Sequence, residues 1–117
     1  VDSFLDDPLA SLELTTHGFI QAIAYLTEEA PAWVALGGGG YNPANVARAW
    51  TLAWATMNGV ELPNELPEAM RAPLTAQGDR AGKLRDDEHT SAMREPCLEQ
   101  MKRCVGYLEE HLFPKIH

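Results

Sequence analysis

The residues best suited to chemistry in this 117-residue sequence surround a run of four glycines, Gly37 to Gly40. Tyr41 follows the run directly, and Asn42 and Pro43 begin a predicted helix. Four glycines leave a stretch of bare backbone, which costs conformational entropy unless the fold needs that backbone or its positive φ angles. We therefore expect a turn that presents one tyrosine hydroxyl beside a helix N-terminus, where open α/β sheets bind their ligands.

The glycines alone are compatible with several interpretations. Neither of two common glycine motifs fits. A phosphate-binding P-loop requires Gly-Lys-Ser/Thr, where this chain has Gly40-Tyr41-Asn42, and a dinucleotide-binding loop requires a third glycine at position 42, which is Asn42. Phosphate could still bind at the Asn42–Pro43 helix start. A purely structural turn, with Tyr41 packed against the helix, is a further alternative.

Composition excludes several classes of partner. Seventeen acidic and nine basic residues give a net charge of −8, which argues against nucleic acid or anionic lipid as a direct partner. No run approaches the ~20 apolar residues of a membrane span, and no signal peptide pattern is present. The length allows one domain at most. The chain begins at Val1 without an initiator methionine, which suggests a fragment or a processed product.

The two cysteines indicate a reducing compartment. Cys97 and Cys104 are seven positions apart in a predicted helix, and seven helical residues span ~10 Å, too far for a disulfide. We expect reduced thiols and a cytoplasmic protein.

Periodicity predicts a mostly helical chain with one short strand. Thr15 and Thr16 offer an N-cap for the first helix, Pro31 ends it, and Gly59 ends the second. Residues 1–15 form a predicted loop, and the polar stretch Gln77–Asp87 a mobile one. The predicted elements are a helix near 17–29, a buried strand at 32–36, a helix from Pro43, a helical turn around 65–71 and a helix at about 96–112.

The second helix and the strand carry predictions about packing. Trp50 and Trp54 are four residues apart and are expected to lie in the core on one apolar face. The full predicted face is Val46, Ala47, Trp50, Ala53, Trp54 and Met57. A single strand cannot form a sheet, so we expect its partners in chain outside these residues or in another copy, which predicts self-association.

Two stretches in register resemble one family. Residues 37–42, followed by Asn45-Val46-Ala47-Arg48-Ala49-Trp50-Thr51, resemble the signature of zinc-dependent histone deacetylases, whose relatives include acetoin-utilisation-type deacetylases and acetylpolyamine amidohydrolases. Asp2-Ser3, then Asp7-Pro8-Leu9, Leu14-Thr15 and Gly18, resemble the segment that follows the family's last zinc-binding aspartate. The spacing from Asp2 to Tyr41 also matches.

The resemblance implies an α/β fold of the arginase/deacetylase type, a parallel sheet with helices on both faces. Residues 1–117 would be the C-terminal portion of a single deacetylase domain, this portion itself mostly helical. The complete protein would hydrolyse acetylated amines such as acetyl-lysine or acetylpolyamine with Zn²⁺, whereas this portion alone would be inactive. The rival interpretation is a non-catalytic interaction or assembly module.

The resemblance also assigns site residues. Asp2 would be a zinc ligand, Tyr41 the catalytic residue that stabilises the oxyanion, and Gly39 and Gly40 would bind the acetylated amine substrate. The other family ligands, in an Asp-x-His motif, and the histidine pair are absent from this sequence. No role transfers to the four histidines, which are His17, His89, His111 and His117.

Three positions depart from the family pattern. Asp6 stands where the family usually has glycine, so this loop is expected to bend differently. Members that bind inositol phosphate carry arginines where this chain has Pro8 and Ala44. These differences predict no inositol phosphate binding and favour a bacterial-type deacetylase.

Overall fold

The computed structural model describes residues 1–10, 12–75, 82–87 and 94–116, and their regular secondary structure is helical. The chain divides into two compact units, Val1–Asp87 and Glu88–His117. No helix in the described ranges is long and apolar enough to cross a membrane. The helices are α1 (Thr16–Glu29), α2 (Pro43–Met57), α3 (Glu68–Thr75) and α4 (Arg94–His111), followed by a 3₁₀ turn at Phe113–Lys115.

Helix α1 begins and ends where the sequence predicts. The Thr15 side chain accepts a hydrogen bond from the Gly18 backbone N–H, which satisfies one of the free donors of the first turn. At the other end the Ala30 N–H donates to the Leu26 carbonyl, and Pro31 follows. These local signals fix both ends of the helix.

Helix α2 has the predicted N-terminal cap. The Asn42 side-chain oxygen accepts from the backbone N–H groups of Ala44, at 3.1 Å, and Asn45, at 3.4 Å. Pro43 occupies the first turn, where its missing N–H costs nothing. Gly59 follows the helix with φ +63°, as predicted for a C-terminal stop.

The predicted strand at 32–36 is wrong. This segment has irregular structure, although exposure alternates along it: Val34 and Leu36 are 79% and 86% exposed, whereas Trp33 and Ala35 are half-buried. The strand is predicted from the continuous apolar run at these positions. A β-strand also needs a partner that completes its hydrogen bonds, and the described residues supply none here.

The predicted inner face of α2 is wrong at its two tryptophans, whereas Ala53 is buried as predicted. Trp50 and Trp54 are 36% and 57% exposed. Helices α1 and α2 pack against each other, and the Phe4 and Phe19 rings lie 5.2 Å apart at a tilt of 59°. The buried residues of α2 are Asn45, Arg48, Ala49, Leu52, Ala53 and Ala55.

Two polar residues of α2, Asn45 and Arg48, are buried because both have hydrogen-bond partners, and Arg48 also has an ion-pair partner. Arg48 pairs with Asp86 at 2.5 Å, and both side chains are about 5% exposed. Its guanidinium also donates to the Leu84 carbonyl at 3.0 Å and to Asn45 Oδ1 at 3.3 Å. The pair ties residues 82–87 to α2.

Residues 82–87 form a loop, as predicted, and several of their contacts reach α1 and α2, while their mobility stays a prediction. Asp86 exchanges two hydrogen bonds of 2.8 Å with Thr16: its carboxylate accepts from the Thr16 N–H, and its N–H donates to the Thr16 hydroxyl. Leu84 is 4% exposed. The rest of the predicted loop, residues 77–81, lies outside the described residues.

The second unit contains α4, which overlaps the helix predicted at about 96–112. None of its described residues is buried, and Cys97 and Cys104 are exposed free thiols. The His111 ring stacks on Tyr107, with ring centroids 4.5 Å apart.

Candidate active site

The loop at residues 1–7 forms one side of the candidate site. Phe4, 2% exposed, anchors it in the core. An isolated parallel bridge joins Phe4 to Leu14, with hydrogen bonds from the Leu5 N–H to the Leu14 carbonyl and from the Leu14 N–H to the Ser3 carbonyl. Phe4 lies between Asp2 and Asp7 in the sequence, so these contacts hold the loop that carries both aspartates.

The glycine run forms the other side and lies directly against this loop. The Val1 nitrogen donates to the Gly38 carbonyl at 2.9 Å. A Cβ built on Gly39 would lie 2.6 Å from Asp2 Oδ2, closer than real Cβ atoms approach other atoms. The bare backbone at Gly39 therefore makes room for the Asp2 carboxylate.

Two glycines in the run also have the backbone angles that favour glycine. Gly39 has φ +60° and Gly40 has φ +97°, in the region that L-residues rarely adopt. A Cβ on Gly40 would meet Val46 of α2 at 2.7 Å and Val1 at 3.1 Å. The expectation that the run supplies positive φ angles and clearance agrees with this geometry, while a substrate contact at Gly39 and Gly40 stays a prediction.

Tyr41 is held by its backbone, and its side chain is 55% exposed. Its N–H donates to Asp7 Oδ2 at 2.8 Å, across 34 positions of sequence. The capping residue Asn42 follows at once and begins α2. Tyr41 is thus exposed on a turn whose backbone Asp7 holds in place.

Asp7 itself is 5% exposed, and its two oxygens have separate partners. Oδ1 accepts from the Leu9 N–H at 3.0 Å, and Oδ2 accepts from the Tyr41 N–H. Burial raises the pKa of Asp7, but the surrounding backbone N–H groups, led by those of Tyr41 and Leu9, stabilise the carboxylate, and the net effect is a pKa below the usual value. Asp7 is therefore an ionised structural acceptor at neutral pH.

The unusual residue at position 6 has a conformational explanation. Asp6 has φ +68°, the only positive φ at a non-glycine position among the described residues. Aspartate tolerates this left-handed conformation better than most residues because its short side chain can bond locally. The loop thus adopts a glycine-like bend without glycine.

The chain offers one residue that suits a zinc site here. The Asp2 side chain is 44% exposed, so a metal ion could reach its oxygens. Among the described residues, no group of three or more His, Cys, Asp or Glu side chains could hold a metal ion. Asp2 thus fits as a single ligand, and a complete three-ligand site would need donors beyond these residues.

The structure brings the predicted site residues together through three contacts. Val1 meets Gly38, the Asp2 carboxylate meets Gly39, and Asp7 meets the Tyr41 N–H. Among the histidines, His17 is exposed on α1, and His89 and His117 lie outside the described residues.

Sequence reasoning missed two residues that support the site. In the sequence, Asp7 and Asn45 are recognised only as part of the stretches that resemble the family, and neither is given a role. The Asn45 amide donates to the Leu5 carbonyl at 2.9 Å, which ties α2 to the loop at residues 1–7. A signal was available, because Asn45 and Arg48 share a helical face with Ala49 and Leu52 at spacings of three and four residues.

Comparison with known proteins identifies one family. The family described as Histone deacetylase domain matches residues 1–57, which include Asp2, the glycine run and Tyr41. No solved structure gives a significant match.

Curated relatives match between about half and most of the chain. The chain is 37% identical over 67 residues to Histone deacetylase 8 of Danio rerio, which is 57% of this chain and 18% of that protein. It is 39% identical over 66 residues to Histone deacetylase 1 of Homo sapiens, 56% of this chain and 14% of that protein. Histone deacetylase 9 of Arabidopsis thaliana is 29% identical over 108 residues, 86% of this chain and 25% of that protein.

The chain therefore spans a quarter or less of the length of these relatives. The two sequence stretches that carry the resemblance, and the loop contacts that join them, all lie within the matched region. Residues 1–57, just under half of the chain, are therefore similar to the histone deacetylase family.

Proposed function

We propose that this chain is part of a zinc-dependent deacetylase that hydrolyses acetylated amines: acetyl-lysine, an acetylpolyamine or a similar small acylamine. The observation that carries the proposal is the packing of the Asp2 carboxylate against Gly39, two residues before Tyr41. This brings a carboxylate that could bind metal to the turn that presents the tyrosine, inside the family match.

Each residue has a distinct role in this proposal. Asp2 would hold zinc with one carboxylate oxygen, beside ligands from other parts of the complete protein. When bound, zinc would polarise the amide carbonyl and activate water. The Tyr41 hydroxyl would donate a hydrogen bond to the oxyanion that develops on the attacked carbonyl, a contact that strengthens in the transition state. Its exposure leaves the hydroxyl accessible to substrate.

The charges of the chain restrict the partners in the proposal. A net charge of −8 disfavours direct binding to nucleic acid. Pro8 and Ala44 carry no positive charge for an inositol phosphate, so we propose that none binds at these positions. A cytoplasmic location and self-association stay predictions, and self-association has lost the unpaired strand on which it was based.

Tyr41→Phe in the complete protein tests the proposal. It removes one hydroxyl and keeps the backbone N–H that Asp7 holds. We expect kcat on an acetyl-lysine peptide to fall by about 10²-fold or more, with a smaller change in KM and unchanged zinc content. Tyr25→Phe is the matched control, because Tyr25 is an exposed tyrosine of α1.

The same experiment separates the enzyme from the non-catalytic module. An interaction module would have no turnover for either variant to change. If the complete protein is active and Tyr41→Phe keeps the wild-type kcat, Tyr41 has no part in the chemistry and the proposed mechanism is wrong.

A further inference from the structure

We propose that Asp7 is a positioning residue for Tyr41, which acts by holding the tyrosine backbone so that the hydroxyl points to one place. The inference rests on the proposed function, because it concerns Tyr41 as the donor to the oxyanion. It assigns Asp7 a role distinct from that of Asp2, the other aspartate that the same loop directs toward the glycine run.

A short chain of contacts connects Tyr41 to the core through Asp7. The Asp7 N–H donates to the Phe4 carbonyl at 3.1 Å, and the Phe4 side chain is buried. The Asp7 carboxylate then accepts from the Tyr41 N–H at 2.8 Å. The peptide between Gly40 and Tyr41 is therefore fixed relative to the loop that carries Asp2.

Tyr41 needs such an anchor because the residues before it are permissive. Gly39 and Gly40 have no Cβ atom to restrict their φ and ψ angles, so each has many accessible backbone conformations. The tyrosine side chain is more than half exposed, so packing restrains it weakly. The Asn42 cap fixes the chain on the other side. The Asp7 hydrogen bond restrains the side next to the glycines.

A charged carboxylate suits this role better than its amide. Both oxygens of Asp7 accept a backbone N–H, one from Leu9 and one from Tyr41. Asparagine has one oxygen, and its NH₂ group would face the second donor. Asp7→Asn should therefore keep part of the anchor, and Asp7→Ala none of it.

A double-mutant cycle in the complete protein tests the inference. The variants are Asp7→Ala, Tyr41→Phe and both together, with kcat measured on an acetyl-lysine peptide. We expect Asp7→Ala alone to lower kcat by about 10- to 100-fold, since displacing a catalytic group by about 1 Å can lower the rate by about 10²-fold. In the Tyr41→Phe background, which lacks the hydroxyl, Asp7→Ala should lower kcat by less than about threefold.

Two further variants guard against general disruption. Asp7→Asn should give a kcat between wild type and Asp7→Ala, and it covers the case in which the alanine variant does not fold. Asp87→Ala makes the same truncation at an exposed carboxylate whose partner is Lys83, and it should leave kcat within about twofold. Zinc content should be unchanged in all of them.

The outcomes are distinguishable. An undiminished effect of Asp7→Ala in the Tyr41→Phe background would show that Asp7 does not act through the hydroxyl. Zinc loss in the Asp7 variants would assign Asp7 to support of the metal site instead, and a normal kcat would remove its role. Failure of the proposed function has its own signature, because Tyr41→Phe alone would then leave kcat unchanged.

Discussion

Replacing Gly39 with alanine should displace the proposed zinc ligand while every catalytic side chain stays in the sequence. The new Cβ would lie 2.6 Å from Asp2 Oδ2, 2.7 Å from Cγ and 2.9 Å from Oδ1. All three distances are below 3.0 Å, which real Cβ atoms essentially never show. Rotating the carboxylate about its Cβ–Cγ bond leaves the Cγ contact in place, so Asp2 or the loop must move.

The size of that movement follows from the contact distances. Ordinary contact begins near 3.4 Å, so Cγ must retreat by about 0.7 Å from its 2.7 Å position. Zinc tolerates ligand distances within about ±0.2 Å. Alanine at φ +60° also costs about 1–2 kcal/mol of backbone strain. We therefore expect zinc affinity to fall on the order of 10- to 100-fold, as when a ligand loses its support.

The assay is zinc retention by the complete protein, measured after equilibration against graded chelator concentrations. Gly38→Ala is the matched control: it adds the same methyl group one residue earlier, where no atom lies within 4 Å and φ is not positive. It should bind zinc as the wild type does. If Gly39→Ala retains zinc as well as Gly38→Ala does, Asp2 is not the ligand or its position does not matter.

Two further predictions concern Asp2 and Asp86. Asp2→Ala should lower zinc content and deacetylase activity together, and a variant with one zinc per chain and normal rates would reduce Asp2 to a loop residue. Asp86→Ala should destabilise the complete protein by about 3–5 kcal/mol because it leaves Arg48 charged and buried, whereas Asp87→Ala, which breaks an exposed pair with Lys83, should cost less than about 1 kcal/mol. Urea midpoints measure the difference, and equal shifts would contradict it.

Local chemistry made the helix ends predictable. Thr15, the Asn42–Pro43 pair and Gly59 each act on the backbone of their own neighbourhood, so the sequence is enough to place them. The glycine run is similar: its positive φ angles at Gly39 and Gly40 follow from residue type. The family resemblance added what local rules cannot supply, which is the pairing of this turn with Asp2.

Long-range pairing is what the sequence did not reveal. Arg48 can lie on the inner face of α2 because Asp86, 38 positions away, supplies a carboxylate that pairs with its buried guanidinium. Without that partner, an arginine is assigned to the solvent side and the tryptophans to the core. The predicted strand failed for a related reason, because an apolar run at 32–36 does not provide a neighbouring strand.

Asp2 and Asp7 show that burial, and not residue type, assigns different roles to two carboxylates of one loop. Asp7 is buried and its oxygens already accept backbone N–H groups, so it is poorly placed to bind a metal ion. Asp2 is 44% exposed and lies against bare backbone, so its oxygens stay accessible. Gly39 of the glycine run lies against Asp2, and Tyr41, two residues later, donates its N–H to Asp7. The proposed ligand and the proposed hydroxyl are therefore held by separate contacts of the same loop. For this reason Asp2 substitutions should lower zinc content and activity together, whereas Asp7 substitutions should lower kcat and leave zinc content unchanged.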